Sequence, residues 1–578
     1  MPVNTTYPGV YIDEVKSGVR TITGVPTSIA AFVGYAPRGP VDRPVHITGW
    51  ADYQSNFGGL HPESAMSYAV YQFYLNGGSE AEIVRVVGDS PLVDVPVGRS
   101  QGAGGRVRAL GPTPESGEEP GESPAVADTR TASPGPLSLK AANPGSWARS
   151  LRTRVDYDTS EEKTTSDHER TLYNLTIRDT GTGAEERYLN VSIDKDSPRN
   201  LSHLLTASRL VQAPIRPVQE LPGKNDEPKT QGADPFADPE PTRDGQPPAT
   251  YSKPEDGGGQ DDVKPTLASY TSGEVEKEGI FQLRKSDIFN LLCLPGCHDE
   301  LDGSAAQELQ AQALRLCIER RAVLLVDPPP AWCRPEGGGP LSVDMVANPP
   351  VPPEGLLAAG DDTKNAALYF PRVIAPDPLR EGALRAFPPC GVMAGVLART
   401  DLQRGVWKAA AGTDASLNGV SDLEVLLSDL DNGRLNPLGI NCLRRLPAVG
   451  PVVWGARTMR GADRLADEWK YLPVRRLALF VEESLFRGTQ WVVFEPNDEP
   501  LWASIRLNIG AFMNSLFRAG AFQGRTPQEA YLVKCDRENN PQNDIDRGIV
   551  NVQVGFAPLK PAEFVIVHIQ QLAGQTQV

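Results

Sequence analysis

Two short apolar runs, Ile29-Ala-Ala-Phe-Val-Gly-Tyr35 and Ile83-Val-Arg-Val-Val87, flank the stretch that decides the fold. Between them, Ser64 can cap a helix that runs to Asn76 and stops at Gly77-Gly78. A strand, a helix and a second strand in this order predict a βαβ unit, in which a right-handed crossover joins two parallel strands. We therefore expect an α/β fold that grows outward from this unit.

The same alternation of apolar strands and amphipathic helices returns after a long middle region. The patterns predict strand Ile288–Leu294, helix Ser304–Arg321, strand Ala322–Val326, strand Ala366–Ile374 and a helix over 391–402. Nearer the C-terminus they predict helix Pro473–Phe486, strand Gln490–Phe494, helix Pro500–Ala519, and strands Ala530–Cys535, Ile549–Phe556 and Glu563–Gln570.

The middle of the chain has a different composition. Residues 101–136 are Gly, Pro, Ser and Glu with few large apolar side chains, and residues 213–279 are rich in Pro and strongly acidic. Between these tracts, residues 137–212 alternate at period two and predict a small β domain. The predicted organisation is a multi-domain α/β protein with an N-terminal extended arm (1–25), a first part of the α/β core (26–94), an inserted, mainly β, outer domain (95–280), a central α/β domain (281–435), a C-terminal α/β core domain (436–560) and a C-terminal strand arm (561–578).

Overall composition favours protein partners. The 578 residues carry 73 acidic and 57 basic side chains, a formal net charge of −16, which argues against a nucleic-acid footprint or a polybasic membrane surface. No apolar run approaches the roughly 18 residues that span a bilayer, and the N-terminus lacks the pattern of a signal peptide. Seven cysteines are an odd number at low density, which fits reduced thiols in a cytoplasm.

No enzyme constellation is complete. G-x-S-x-G and the phosphate-binding G-x-x-x-x-G-K-[ST] are missing, and the zinc-deaminase pattern that Pro389-Cys390 could begin has Met393 where a cysteine ligand belongs. The only metal-like spacing is Cys293, Cys297 and His298, with Cys317 and Cys333 further on, and these cysteines fit apolar core positions better than a zinc site. We expect no catalytic residue, no metal and no cofactor.

The predicted helix Pro500–Ala519 has two interpretations. Its apolar positions fall at helical spacing, as in a core helix. Alternatively its polar side docks against a partner through Arg506, Asn508, Asn514 and Arg518.

Short motifs near both ends agree in order and spacing with one known family. They are Tyr7-Pro-Gly-Val-Tyr-Ile-Asp-Glu-Val15, Val25–Gly34, Gly39-Pro40, His46–Trp50, Asn56–Gly59 and Phe73–Gly78, then Asn436–Asn441, Val453–Arg457, Trp469–Arg475, Phe494–Asn497, Leu501-Trp502 and Asp546–Gly548. Over residues 1–90 and about 285–578 the chain resembles the sheath protein of contractile phage tails and contractile injection systems. Residues 95–280 match nothing specific.

The resemblance implies a structural motor without a catalytic site. Sheath subunits form stacked hexameric rings around an inner tube, between a baseplate and a terminal cap, and they contract to drive the tube through a target envelope. It implies assembly in the cytoplasm of the producing cell, no nucleic-acid partner, no membrane insertion, and subunits linked by extended arms that add strands to a neighbour's sheet. The arm residues would be Tyr7, Val10, Tyr11 and Ile12, and Phe564, Val565, Ile566, Val567 and Ile569; the polar side of the helix Pro500–Ala519 is a candidate contact with the inner tube.

The residues support the arms independently. The last predicted strand is apolar on both faces, so it must be buried in its own core or paired with another chain. Strand exchange of a heterologous kind produces open helical polymers. The alternative that the sequence leaves open is an intracellular α/β enzyme with a β insertion.

Overall fold

The structure is a computed structural model, and it describes the chain with several gaps. The described residues are 20–98, 137–160, 171–215, 217–218, 221–228, 230, 232–237, 250–254, 264–333, 343–347 and 360–567.

Within these ranges the strands divide among five sheets. They are β1 (Ala30–Gly34), β2 (Val45–Ile47), β3 (Ala81–Arg85), β4 (Asp94–Val97), β5 (Leu137–Lys140), β6 (Leu151–Asp156), β7 (Leu172–Asp179), β8 (Glu185–Ser192), β9 (Leu291–Cys293), β10 (Val323–Val326), β11 (Ala366–Phe370), β12 (Val373–Asp377), β13 (Ala383–Phe387), β14 (Asp422–Leu423), β15 (Ile440–Leu446), β16 (Gly450–Val453), β17 (Tyr531–Lys534) and β18 (Gln553–Phe556).

Long and short helices surround these sheets. The α-helices are α1 (Trp50–Phe57), α2 (Ala65–Leu75), α3 (Leu201–Leu204), α4 (Leu267–Thr271), α5 (Cys297–Glu300), α6 (Gly303–Glu319), α7 (Pro330–Cys333), α8 (Val343–Ala347), α9 (Cys390–Arg404), α10 (Asp429–Leu435), α11 (Leu472–Gly488), α12 (Glu499–Arg518), α13 (Pro527–Ala530) and α14 (Gln542–Asp546). The 3₁₀ turns are Ser146–Ser150, Leu205–Ala207, Gly279–Lys285, Asp361–Asn365, Pro378–Arg380, Asn436–Leu438, Asp463–Leu465 and Gln490–Val492.

An eight-stranded sheet in the order β16-β15-β11-β10-β9-β1-β3-β2 draws its strands from both ends of the chain. Its six inner strands are parallel, and β2 and β16 run antiparallel at the two edges. Strand β1 sits inside this sheet, with Phe32 opposite Ile83 of β3 and Cys293 of β9. Parallel sheets need cover on both faces, which explains why β1, β3 and β10 are buried along their whole length. The predicted α/β class with a βαβ unit at its start is confirmed.

The helix α2 crosses between β1 and β3 and packs on one face of the sheet. Ser64 accepts a hydrogen bond from the amide of Ser67, so the predicted N-cap is present. Helix α9 lies directly against α2, because Gly391 brings the two backbones together: a Cβ at Gly391 would lie 2.4 Å from the carbonyl oxygen of Ala69. The opposite face of the sheet is covered by α6 and by the 3₁₀ turn Gly279–Lys285, which supply Leu309, Leu316, Ile280 and Leu283 to a second core.

The middle of the chain forms separate small sheets with their own core. Strands β4 and β5 pair, β6, β7 and β8 form an antiparallel sheet, and Val95, Tyr173 and Leu175 are among the side chains buried between them. One arginine ties this unit to the large sheet: Arg85, only 1% exposed, donates hydrogen bonds to the carbonyls of Ala36, Pro37, Gly39 and Pro144. Three of these carbonyls follow β1 in the body and the fourth, that of Pro144, belongs to the insert, so one guanidinium joins the inserted unit to the end of β3.

Residues 264–280 belong with the α/β body in the structure, although the predicted insert (95–280) includes them. Tyr270 of α4 and Ile280 are buried in the core that contains α6. Composition could not show this, because the acidic and glycine residues around them lie at the surface while a few apolar side chains reach inward.

A C-terminal helical hairpin carries the last sheet. Helices α11 and α12 pack together, with Leu477, Ile505, Phe512 and Met513 in a fourth core, and β17 and β18 cover one side of it. The interpretation of α12 as a core helix matches these buried positions.

Two predicted strands within the folded body differ in the structure. The segment Gln490–Phe494 is a 3₁₀ turn followed by exposed Val493 and Phe494, and Phe494 has a φ of 70°, which an extended strand does not allow. The segment Ala366–Ile374 is two strands, β11 and β12, which pair in different sheets. Pro371 lies between them and has no amide hydrogen to donate, so it interrupts the ladder.

Candidate assembly site

The N-terminal segment is held on the helical hairpin from its first described residue. The amide of Arg20 donates to Oδ1 of Asn508 at 3.0 Å, and its guanidinium lies 4.7 Å from the ring centre of Trp491. Ile22 is buried against Gly488, and the amide of Val25 donates to Oγ of Ser484 at 3.2 Å. The predicted arm residues Tyr7, Val10, Tyr11 and Ile12 lie outside the described residues.

A buried ion pair fixes the next residues of the same segment. Arg476 of α11 and Asp401 of α9 are each 4% exposed and make two hydrogen bonds, of 2.8 and 2.6 Å. Thr27 joins them, since its hydroxyl donates to Asp401 at 2.7 Å and its carbonyl accepts from Arg476 at 2.9 Å. Residues 20–27 are therefore held on α9, α11 and α12.

The C-terminal segment is anchored at Glu563. The guanidinium of Arg457, whose side chain is completely buried, donates to both carboxylate oxygens of Glu563 at 2.8 and 2.6 Å. Its remaining nitrogen donates to the carbonyl of Asn436 and to Asp463, each at 2.9 Å. Burial alone would lower the pKa of Arg457, but the hydrogen bonds and charges of Glu563 and Asp463 raise it above its ordinary value, so the guanidinium stays charged although it is buried.

Beyond this anchor the chain turns outward. Phe564, Val565, Ile566 and Val567 are between 73% and 81% exposed, although all four are large and apolar. The sequence predicts a strand over Glu563–Gln570, but residues 563–567 pair with no strand of their own chain within the described ranges. A segment becomes a β-strand only when its backbone pairs with a neighbouring strand. The apolar pattern predicts that residues 563–570 can form a strand, but it cannot show whether a neighbour is present in the same chain. Ile569 lies outside the described residues.

The two-stranded sheet β17–β18 lies beside the hairpin. Its strands pair with each other only, as far as the described residues go, and β17 packs on α12. The segment at Gln523 covers the end of β18, where the amide of Gln523 donates to the carbonyl of Ala557 at 2.9 Å. The outer edge of β17 has no strand beside it among the described residues, and a two-stranded sheet of this kind gains from further strands.

The four polar residues predicted on α12 do not form one free surface. Asn508 is 2% exposed and accepts from Arg20, so the expectation that it faces a partner is wrong; its place on the helix is covered by the chain's own N-terminal segment. Arg506 donates to the carbonyl of Cys535 and to Glu499, and Asn514 is half-buried. Arg518 is exposed, and it lies on the same side of α12 as four other exposed residues, Ala503, Leu507, Ala511 and Ser515.

The cysteines behave as core side chains. All seven are free and buried, including Cys293 on β9 and Cys317 on α6. Burial raises the pKa of Cys333 to about 12 and lowers that of His298 to about 4. Over the described ranges the structure contains no group of three or more His, Cys, Asp or Glu side chains that could hold a metal ion, and no helix there is both long and apolar enough to cross a membrane.

Sequence reasoning missed two carboxyl groups at the carboxyl end of the parallel strands, those of buried Asp327 and half-buried Glu300. Asp327 follows β10 and accepts from the amide of Cys390 at 2.8 Å, and Glu300 of α5 accepts from the hydroxyl of Tyr270 at 2.7 Å. Burial raises the pKa of each carboxyl to about 7. Local sequence offers no sign of this, because both residues sit in polar-looking connections.

Comparison with known proteins confirms the resemblance to sheath proteins. Residues 466–571 match the family model described as the phage tail sheath C-terminal domain. The tail sheath protein of Vibrio phage KVP40 is 28% identical over 185 residues, which are 32% of this chain and 26% of that protein. The alignment thus spans about a quarter of the relative's length.

Solved structures share the fold along nearly the whole chain. The PVC sheath complex of an extracellular contractile injection system, in its contracted state, has a TM-score of 0.53 at 20% identity and covers 98% of each chain. The sheath tail protein from Listeria innocua has a TM-score of 0.54 at 12% identity, covering 93% of this chain and 96% of that one. The mixed α/β, multi-domain architecture is therefore that of known sheath proteins.

Proposed function

We propose that this chain is the sheath subunit of a contractile phage tail or of a phage tail-like injection particle. The observation that carries the proposal is the C-terminal segment: four exposed apolar residues, 564–567, directly after a carboxylate that a buried arginine holds in place. An exposed apolar strand is an aggregation hazard unless another chain covers it. The sheath family match over residues 466–571 includes this segment.

The arm supplies the link between subunits. Phe564–Val567 adds to the two-stranded sheet β17–β18 of a neighbouring copy, and the N-terminal arm with Tyr7, Val10, Tyr11 and Ile12 makes a second link. Donor and acceptor surfaces differ, so each subunit both gives and receives a strand. Heterologous contacts produce rings where the rotation closes and open helical polymers where it does not, so the two links together build a helical stack of rings.

The polymer is a mechanical device and carries out no chemical reaction. The sequence has no nucleotide-binding motif, so the work of contraction comes from the assembled lattice, whose subunits reorient as rigid bodies about the arms. Following the family, the rings are hexameric and surround an inner tube, with a baseplate and a terminal cap at the ends. The particle assembles in the cytoplasm of the producing cell, and Arg518 on the exposed face of α12 is the residue best placed to meet the tube.

Mass and shape test the proposal directly. We expect purified chains to sediment as large polymers and to appear as hollow tubes or rings by negative-stain electron microscopy. A chain that remains monomeric across salt and protein concentration would refute the sheath function and favour an intracellular α/β enzyme with a β insertion.

A further inference from the structure

The loop between α11 and α12 presents an unusual apolar surface. Phe494 is fully exposed, at 101% of its reference area, and Val493 beside it is 60% exposed. Phe494 also has a φ of 70°, in the left-handed region that bulky side chains avoid. We call Val493 and Phe494 the apolar knob.

Hydrogen bonds on both sides hold the knob in place. The amide of Glu495 donates to the carbonyl of Val492 at 3.1 Å. The side chain of Asn497 donates to the carbonyl of Ile549 at 3.0 Å and accepts from the indole of Trp502 at 2.9 Å. A strained backbone kept by its surroundings at an exposed aromatic residue is typical of a contact site.

A cavity elsewhere on the chain has the complementary character. It measures about 740 Å³ and is bounded by Trp407, Trp454, several Ala and Gly residues, and the root of the C-terminal segment. Its rim carries Arg404, Lys408 and Lys560. Its acidic residue, Glu563, is already bound by Arg457. We call this cavity the tryptophan pocket.

Charge matches between the two surfaces. The loop that carries the knob also carries exposed Glu495 and Asp498, opposite in sign to the three cations that line the pocket.

The knob cannot reach the pocket of its own chain. Phe494 lies where α11 ends and α12 begins, whereas the pocket includes Ala519 and Gly520 at the far end of α12. Helix α12 has 20 residues, so the two sites are separated by about 30 Å along its axis. Only a second copy can bring a knob to this pocket.

We infer that the apolar knob of one subunit inserts into the tryptophan pocket of the next, a contact separate from strand exchange at the C-terminal arm. The inference rests on the proposed assembly and adds a second heterologous contact to it. Knob and pocket lie at opposite ends of the α11–α12 hairpin, so the contact repeats in one direction through the polymer.

Cysteine cross-linking of assembled particles tests the contact. All seven native cysteines are buried, so Glu495→Cys, next to the knob, combined with Ala519→Cys introduces the accessible thiols and leaves Phe494 in place. We expect a short bismaleimide to produce a ladder of covalent multimers from assemblies of the double variant. The control pairs Ala519→Cys with Val275→Cys, at a residue that is 87% exposed and lies outside both surfaces, and it should produce no ladder.

A functional variant adds a second measurement of the same contact. Phe494→Asp should raise the protein concentration needed for assembly at least tenfold, while Val275→Asp leaves it unchanged. Glu495→Lys should weaken assembly, and adding Lys560→Glu to that variant should restore part of it.

The possible outcomes separate the two proposals. Tubes of the double-cysteine variant that yield no ladder would overturn the knob contact and leave the sheath function standing. Wild-type chains that never assemble would refute both. If the thiol introduced by Ala519→Cys is unreactive in the unassembled chain, the pocket is not open to a partner, and that result would also overturn the inference.

Discussion

Arg457 and Glu563 are 106 positions apart and form a two-hydrogen-bond ion pair, at 2.8 and 2.6 Å, at the root of the C-terminal segment. Arg457 is buried completely, so the pair fixes the last anchored residue of the chain to the body. The next four residues are exposed. The pair therefore decides where the folded body ends and the arm begins.

Neutralising this anchor should free the arm without unfolding the body. Glu563→Gln replaces charged hydrogen bonds with weaker ones, which should cost about 1–3 kcal/mol locally. We expect unchanged helix content by circular dichroism, faster limited proteolysis after Phe556, and weaker assembly. The matched control is Glu538→Gln, which removes an exposed partner of Lys534 and should change none of these measurements. Equal proteolysis of the two variants would argue against the anchor.

Breaking the buried pair beneath the N-terminal segment should have a larger effect on stability. Arg476→Ala leaves Asp401 buried without its partner, and we expect a loss of about 3–5 kcal/mol in the free energy of unfolding. The double variant Arg476→Met with Asp401→Leu removes both charges, so its free energy of unfolding should fall clearly less than that of Arg476→Ala. Chemical denaturation of the three chains measures this, and equal losses in the single and double variants would contradict the account.

The pH dependence of stability should reveal the buried carboxyl of Asp327. Its pKa is about 7 in the folded chain and near 4 when unfolded, so the folded state holds a proton that the unfolded state has lost between these values. Its contribution is therefore complete at low pH and falls as pH rises, by about 1.4 kcal/mol per pH unit, until pH passes about 7. Glu300, whose pKa is also raised to about 7, likewise makes the folded chain less stable as pH rises. His298 has its pKa lowered to about 4, so below pH 6.5 it makes the folded chain more stable as pH rises.

Comparing Asp327→Asn with the wild type isolates this contribution. The variant should gain stability relative to the wild type as pH rises from about 5 to about 7, and the difference should level off above about 7.5. Melting temperatures measured at several pH values across this range test it. A constant difference at all of them would mean that Asp327 does not keep its proton in the folded chain.

Replacing the insert should leave assembly intact only if the deleted range contains no side chain that is buried in the core of the α/β body. We expect a chain in which residues 91–263 are exchanged for a Gly/Ser linker to fold and form tubes of smaller outer diameter. Exchanging 95–280 also removes Tyr270 and Ile280 from the core beside α6, so that version should unfold or aggregate. Electron microscopy and circular dichroism of both chains separate the cases; a folded 91–263 replacement that cannot form tubes would place the insert in the lattice.

The sequence predicted the parts of the fold that local chemistry controls. Strand β1 and helix α2 were predictable because a short apolar run and the Ser64 cap each leave a clear pattern. The prediction of a strand over Gln490–Phe494 was wrong because its apolar residues resemble those of a buried strand, whereas Val493 and Phe494 lie on the surface. Apolar pattern alone cannot distinguish a core from a contact surface.

The candidate site was predictable only in part. Residues 564–567 are exposed and apolar, which fits the expectation that a strand apolar on both faces needs cover; their pairing with another chain stays a prediction. The pairing of Arg457 with Glu563, the burial of Asn508 under Arg20 and the raised pKa of Asp327 all depend on segments far apart in the chain. Those pairings arise from tertiary packing, which leaves no local pattern.

The most direct test of the account replaces Val565 and Val567 with proline in the full chain. Two prolines remove two ladder donors from the arm, and because both positions are exposed in the single chain, the folded body should not depend on them. Circular dichroism combined with analytical ultracentrifugation should show native helix content and monomer mass, next to a wild type that sediments as polymers. Global unfolding of the double variant, or tubes indistinguishable from those of the wild type, would contradict the claim that this segment joins subunits.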